Sequence, residues 1–201
     1  MRNNETAKTL IDELIALSDE KGSLSWKSVG MMQRGLLFAV TGNASDAVQM
    51  ITSGLAAYRL TGATWSIPYF LTYLARVYAE LGQFDDARRS IDEAITAIET
   101  TKETWRAVET HCAAGQIELV SPEPNAAKAE AHFERALAVA RQQQAKSWEL
   151  RAAMSMARLW RDQDKPKEAR ELLAPVYGWF TEGFDTRDLK EAKALLGELG
   201  S

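Results

Sequence analysis

Apolar and polar positions alternate along most of the chain with the period of an α-helix. Large apolar or small residues recur at spacings of three and four, which predicts amphipathic helices that each bury one face. Gly-containing or polar breaks interrupt the pattern at residues 41–43, 81–83 and 164–166. Pro166 suits the first turn of the helix that follows its break. The pattern therefore predicts pairs of helices joined by short turns.

The helical pattern itself repeats about every 40 residues. Each repeat has a small residue in its first half and an alanine early in its second half, followed by a large apolar residue and then by a small or branched one. When the four repeats are aligned, these positions form four columns. In the order just given they are Gly35, Ala75, Gly115 and Ala157; Ala47, Ala87, Ala129 and Ala169; Ile51, Ile91, Phe133 and Leu173; and Gly54, Ala94, Ala136 and Val176. Small residues on the first helix let the second approach closely, and the large residue fills the gap. We therefore predict an all-α fold, an α-solenoid of about four helical hairpins.

Both ends of the chain read as capping helices of a single domain that spans residues 1–201. Leu10 and Leu14 mark the apolar stripe of the first segment, and Leu189 and Leu195 that of the last. A solenoid needs terminal elements that cover its last apolar face. The predicted order is an N-terminal helix at 1–22, repeats at 26–62, 65–101, 105–145 and 148–182, and a C-terminal capping helix at 186–200.

The second repeat carries the clearest motif, which reads Leu71, Leu74-Ala75, Tyr78, Gly82, Ala87, Ile91 and Ala94. This motif resembles the tetratricopeptide (TPR) family. The usual repeat of that family has about 34 residues, so the units of this chain carry longer helices or loops. The resemblance implies a non-catalytic protein–protein interaction scaffold, with a concave groove along the first helices that binds a peptide or a partner domain.

Residues 147–153, 157–160 and 177–186 are similar to the C-terminal TPR region of large bacterial proteins. Those proteins couple an adenylate/guanylate cyclase-type or DNA-binding domain to a STAND-type ATPase. The similarity implies an alternative function, a ligand-sensing regulatory module of a signalling ATPase or cyclase-like system. Two interpretations of segment 177–186 stay open: a ligand loop, or aromatic residues that close the end of the core.

The TPR resemblance indicates which first-helix positions face the groove. Three of them, Arg151, Arg158 and Arg161, are spaced by seven and three, so they share one helix face and can grip carboxylates of an acidic protein or peptide. The alternative is a solvated face, on which Glu149, Asp162 and Asp164 neutralise the arginine charges. The full set of candidate groove residues adds Tyr69, Arg76, Glu80, Glu109 and Gln116, together with Met32, Leu36, Ala39, Thr72, Cys112 and Met154.

A hydroxyl residue precedes a tryptophan at the entrance of every predicted repeat. The pairs are Ser25-Trp26, Thr64-Trp65, Thr104-Trp105 and Ser147-Trp148. The hydroxyl is predicted to cap the first helix, and the tryptophan to pack against the end of the preceding hairpin. The alternative is an aromatic ladder that stacks bases or binds a ligand.

Composition and the lack of known motifs argue against several classes of function. The 201 residues carry 24 basic and 28 acidic side chains, a net charge of −4, which argues against nucleic acid as a partner. No phosphate-binding loop or dinucleotide fingerprint is present, and His111, Cys112 and His132 lack a metal-site spacing. We therefore predict no catalytic residue, no metal and no cofactor. The single cysteine and the lack of a long apolar run predict a cytoplasmic protein without disulfide or membrane span, and self-association stays open.

Overall fold

The computed structural model describes residues 2–200, with side chains from Asn4 onward; Met1 and Ser201, the ends of the predicted domain, lie outside the described residues. Helix makes up 81% of the structure, and the described residues contain no strand. The predicted all-α repeat fold is confirmed. The helices are α1 (Arg2–Glu20), α2 (Leu24–Val40), α3 (Ala44–Leu60), α4 (Ile67–Glu80), α5 (Phe84–Thr101), α6 (Ala107–Val120), α7 (Ala126–Gln142), α8 (Lys146–Asp162), α9 (Pro166–Gly178) and α10 (Arg187–Glu198).

The chain divides into two compact units, Met1–Glu103 and Thr104–Ser201. The first holds α1 and the hairpins α2–α3 and α4–α5. The second begins with a short 3-10 turn, Thr104–Arg106, and holds the hairpins α6–α7 and α8–α9 followed by α10. The limits predicted for the four repeats stay predictions. Within residues 2–200, no helix combines the length and the apolar character needed to cross a bilayer.

Small residues on first helices meet large residues on second helices, as the sequence columns predict. A Cβ atom on Gly35 would lie 2.6 Å from Ile51 Cγ1, and one on Gly115 would lie 2.4 Å from Phe133 Cε1. Both large side chains are buried. Each glycine therefore permits a helix approach that no larger residue would allow, and this prediction is confirmed for the α2–α3 and α6–α7 hairpins.

Some positions predicted to face a groove are buried instead. In the first unit, α2 to α5 form one apolar core, in which Met32 on α2 is fully buried. The Thr72 hydroxyl on α4 is also buried and donates to the Pro68 carbonyl. Cys112 on α6 and Met154 on α8 are buried in the second unit. The groove prediction is wrong for these four residues because each lies on the core-facing side of its helix.

The turns, not the hydroxyl side chains, set where helices begin. Gly42 and Gly82 end α2 and α4 with φ values of +86° and +74°. The next residue in each turn donates its N–H back to the helix, for example Asn43 to the Phe38 carbonyl at 2.9 Å. These bonds fix the links that lead into α3 and α5. The predicted capping roles of Ser25, Thr64, Thr104 and Ser147 concern the first helices, and they are wrong because those helices begin at other residues. The N-cap positions of α2, α4, α6 and α8 are Ser23, Ser66, Arg106 and Ala145, and none of them makes a side-chain capping bond.

Candidate functional site

One side of α4 carries a row of aromatic and charged side chains, here called the α4 row: Tyr69, Tyr73, Arg76 and Glu80. The rings of Tyr69 and Tyr73 meet edge to face, with centroids 4.9 Å apart. The Arg76 guanidinium lies over the Tyr73 ring, 5.5 Å from its centroid. The first three side chains are half-buried, and Glu80 is exposed. Tyr73 is absent from the predicted groove residues, although its spacings of four from Tyr69 and three from Arg76 place it on the same helix side.

One face of α8 carries Arg151, Arg158 and Arg161, here called the arginine row. Their side chains are 48%, 41% and 38% exposed. Each of these arginines pairs with a carboxylate from α10. The N–O distances are 2.6 Å for Arg151–Asp188, 3.1 Å for Arg158–Glu191 and 2.5 Å for Arg161–Glu198.

Of the carboxylates predicted to neutralise the arginine row, Asp162 does so and Glu149 does not. Asp162 does contact Arg161, with Nε 2.9 Å from Oδ1. Glu149, in contrast, is buried, and its oxygens accept hydrogen bonds from Arg141 and Lys146. The α10 carboxylates lie 33 to 37 residues from their arginines along the chain, so the spacing on α8 does not indicate them.

Hydrogen bonds shift the pKa values of Glu191 and Arg161 in the direction that favours their charged forms. Hydrogen bonding from Arg187, together with that from Arg158, lowers the pKa of Glu191. Hydrogen bonds to Asp162 and Glu198 raise the pKa of Arg161. The ion pairs therefore attract α8 and α10 to each other, and salt weakens this attraction because the charged groups are exposed.

The two candidates on α6 lie in different environments. Glu109, near the start of the helix, is buried and accepts a hydrogen bond from Arg106 Nη1 at 2.7 Å. Gln116 lies seven residues later and is exposed. The Glu109 carboxylate therefore holds Arg106, while the Gln116 amide is open to solvent.

The entrance tryptophans are surface features. Trp26, Trp65 and Trp105 are 55%, 51% and 43% exposed, so their rings do not complete a core. The guanidinium of Arg106 lies 4.6 Å from the Trp105 ring centroid and 6.0 Å from that of Trp148. Trp148, which is half-buried, also lies under the Arg151 guanidinium at 4.7 Å. Alternating rings and guanidiniums thus cover the start of α8.

A cavity of about 420 Å³ opens between the start of α8, the loop from α9 to α10, and the first turn of α10. The loop is part of segment 177–186, for which two interpretations were open. The ring of Tyr177 contacts that of Phe184, with centroids 5.8 Å apart, whereas Trp179 is 58% exposed. Phe184 is itself 46% exposed, so these aromatics close the core incompletely, and the same loop lines a cavity.

Two histidines face each other in the α6–α7 hairpin, with Nδ1 of His111 3.5 Å from Nδ1 of His132. Burial lowers the pKa of His111 to about 4, and the charges of His132 and Arg135 act in the same direction. The neighbouring Cys112 is buried. In the part of the chain that the structure describes, no three His, Cys, Asp or Glu side chains group into a metal site.

Comparisons with known proteins agree with this architecture. The tetratricopeptide repeat family matches at residues 68–93 and 150–175, which cover α4 with the first half of α5 and most of α8–α9. No curated protein matches the sequence.

Solved structures share the fold at low identity. A variant of a candidate kinesin light chain from Podosopora anserina, with nearly identical TPR-like repeats, has a TM-score of 0.66 at 17% identity, over 87% of this chain and 85% of that one. BtubC (BKLC) from P. vanneervenii has a TM-score of 0.68 at 15% identity, over 98% of this chain and 72% of that one. A STAND protein with a TPR sensor from Pyrococcus horikoshii has a TM-score of only 0.43 at 13% identity, over 86% of this chain and 32% of that one. This similarity is too distant to bear on function.

The helical hairpins, their small-to-large packing and the family match lead to one conclusion. This chain is an all-α repeat protein in which residues 68–93 and 150–175 match the tetratricopeptide repeat.

Proposed function

We propose that this chain is a non-catalytic scaffold that binds a peptide or partner domain through the exposed sides of its first helices, and that it acts in the cytoplasm. Tetratricopeptide repeats generally mediate protein–protein interaction. The observation that supports the proposal best is the α4 row, where Tyr69, Tyr73 and Arg76 stack on one another beside the exposed Glu80.

The chemistry of the α4 row suits a protein partner. Tyrosine and arginine are enriched among the residues that contribute most to protein–protein binding. Mutual stacking holds the Tyr73 ring and the Arg76 guanidinium in place, so binding orders few additional side chains. Arg76 would receive a carboxylate of the partner, the tyrosine rings would receive an apolar side chain, and Glu80 would receive a basic one.

The arginine row would add a second contact for an acidic partner. Each guanidinium has five N–H donors, and Arg151 and Arg158 each use one of them in the bond to α10. Arg161 divides its donors between Asp162 and Glu198. The remaining donors would bind carboxylates of a partner without displacing α10. On α6, the Gln116 amide would bind the backbone of a peptide, and Glu109 would act by holding Arg106.

A site-specific photo-crosslink tests this proposal. Benzoylphenylalanine is introduced at Tyr69 in the α4 row or, as a control, at Leu60, which is 82% exposed at the end of α3 in the same unit. After irradiation in the native cells, we expect a discrete protein adduct at position 69 and none at position 60. Equal adducts at both positions, or no adduct at position 69, would overturn the assignment.

A second candidate function is the ligand-sensing module of a bacterial signalling ATPase or cyclase-like system. The 420 Å³ cavity beside α10 favours it, because small-molecule sites are concave, part apolar and furnished with a few polar groups. Binding of a small molecule by the purified chain would support this function, and the crosslinks described above would not depend on it.

A further inference from the structure

The cavity beside α10 has an apolar floor and charged walls of both signs. Leu150 on α8 and Leu189 on α10 are buried and line it, and the half-buried Phe180 ring contributes a third apolar surface. Its volume of about 420 Å³ falls within the range of ordinary small-ligand sites. An apolar side chain of a ligand would be desolvated on this floor.

Arg151 and Arg187 supply the positive charges of the wall. Arg151 is held from two sides, because its guanidinium lies over the Trp148 ring and its Nε donates to Asp188 at 2.6 Å. Arg187 donates through Nε to Glu191. The terminal N–H groups of a guanidinium anchored through Nε form a planar fork that suits a carboxylate.

Glu182 and Asp188 supply the negative charges of the same wall. Glu182 is exposed in the loop between α9 and α10, and the Asp188 side chain is 30% exposed. Two hydroxyls, those of Ser147 and Thr186, also line the cavity. Because Thr186 Oγ1 donates to the Gly183 carbonyl, its lone pairs stay available as acceptors for an N–H donor.

We propose that this cavity binds a zwitterionic small molecule with an apolar side chain, of the chemical class of the free aliphatic and aromatic α-amino acids. The ligand carboxylate binds Arg151 and Arg187, its ammonium group binds Glu182 and Asp188, and its side chain packs on Leu150, Phe180 and Leu189. A ligand with only a negative charge would meet the two carboxylates without compensation, and one with only a positive charge would meet the two guanidiniums. The proposal rests on the second candidate function and specifies its ligand.

Isothermal titration of the full chain with four probes tests the charge requirement. L-leucine and L-phenylalanine carry both charges, N-acetyl-L-leucine lacks the ammonium group, and L-leucinamide lacks the carboxylate. We expect the two amino acids to bind at least about tenfold more tightly than either blocked compound. N-acetyl-L-leucine binding as well as L-leucine would identify a carboxylate site for a peptide C-terminus instead, and would overturn the proposal.

Variants locate the binding. Glu182→Gln removes a proposed ammonium partner, and we expect L-leucine to bind about tenfold more weakly while N-acetyl-L-leucine is unaffected. The matched control is Glu171→Gln on α9, whose side chain is 67% exposed and lies outside the cavity. Equal L-leucine affinity of Glu182→Gln and wild type would overturn the assignment.

These experiments distinguish a failure of the zwitterion assignment from a failure of the ligand-sensing or scaffold function. If neither amino acid binds but another class of small molecule raises the Tm of the chain, the ligand-sensing function survives and the zwitterion assignment fails. If no small molecule binds, both fail, while the crosslink at position 69 still reports on the scaffold function.

Discussion

Arg158 on α8 donates from Nη2 to Glu191 Oε2 on α10 at 3.1 Å, between the neighbouring pairs Arg151–Asp188 and Arg161–Glu198. Both side chains of the pair remain more than a third exposed. The arginine face predicted for an acidic partner thus already carries carboxylates of the chain itself. Any acidic partner of α8 must bind beside these carboxylates or compete with them.

Replacing Arg158 measures what this contact contributes. Arg158→Gln keeps the length of the side chain nearly constant but removes its charge, and we expect the free energy of unfolding to fall by up to about 1 kcal/mol, because exposed ion pairs contribute little. Urea unfolding measures the loss, and about 1 M NaCl should shrink it, since salt screens exposed charges. Lys167→Gln is the control, because the Lys167 side chain is 85% exposed and its Nζ lies 3.9 Å from Glu171 Oε1. A larger loss in Lys167→Gln than in Arg158→Gln would contradict this account of α10.

A methyl group at Gly115 tests the packing of the second unit. The Cβ of Gly115→Ala would lie 2.4 Å from Cε1 and 2.8 Å from Cδ1 of the buried Phe133 ring. We expect a loss of about 1–3 kcal/mol in the free energy of unfolding, typical of an overpacked core. Gly197→Ala in α10 meets no atom within 4 Å and should leave stability unchanged or raise it by up to about 1 kcal/mol, because alanine favours helix. Equal Tm values for the two variants would refute the close approach of α6 and α7.

Acid should destabilise the second unit through His111. Burial lowers the pKa of this imidazole from 6.5 to about 4, with His132 and Arg135 as the charges that add to the shift. The unfolded chain therefore binds a proton between these two values that the folded chain does not. The stability that the neutral His111 imidazole contributes to the folded state is fully present above about pH 6.5 and is lost as the pH falls toward 4.

His111→Gln should remove that part of the pH dependence. Tm measured by circular dichroism between pH 4 and 7 should rise less steeply in the variant than in the wild type. Parallel curves would show that His111 titrates normally and would contradict its burial as a neutral group.

The repeat pattern predicted the hairpins well because helix periodicity and residue size act locally. Gly115 and Phe133 lie 18 residues apart in one hairpin, so their columns alone place them in contact. The partner of Arg161 could not be found this way, because Glu198 lies 37 residues away on a helix whose packing follows from the whole unit. Residue type alone also did not show that Thr72 faces the core, or that Asn43 ends its turn through a backbone bond.

If a protein partner binds the α4 row, as we propose, then altering this row weakens the affinity of the crosslinked partner. Fluorescence anisotropy gives the Kd of that partner for wild type, Arg76→Gln and Arg89→Gln; the last is the control, because Arg89 lies on α5 with its side chain 78% exposed. We predict a Kd about tenfold weaker for Arg76→Gln, as expected on loss of an interface arginine, and a Kd within about twofold of wild type for Arg89→Gln. Equal Kd values for all three proteins, with Tm unchanged, would show that the partner does not bind through the α4 row.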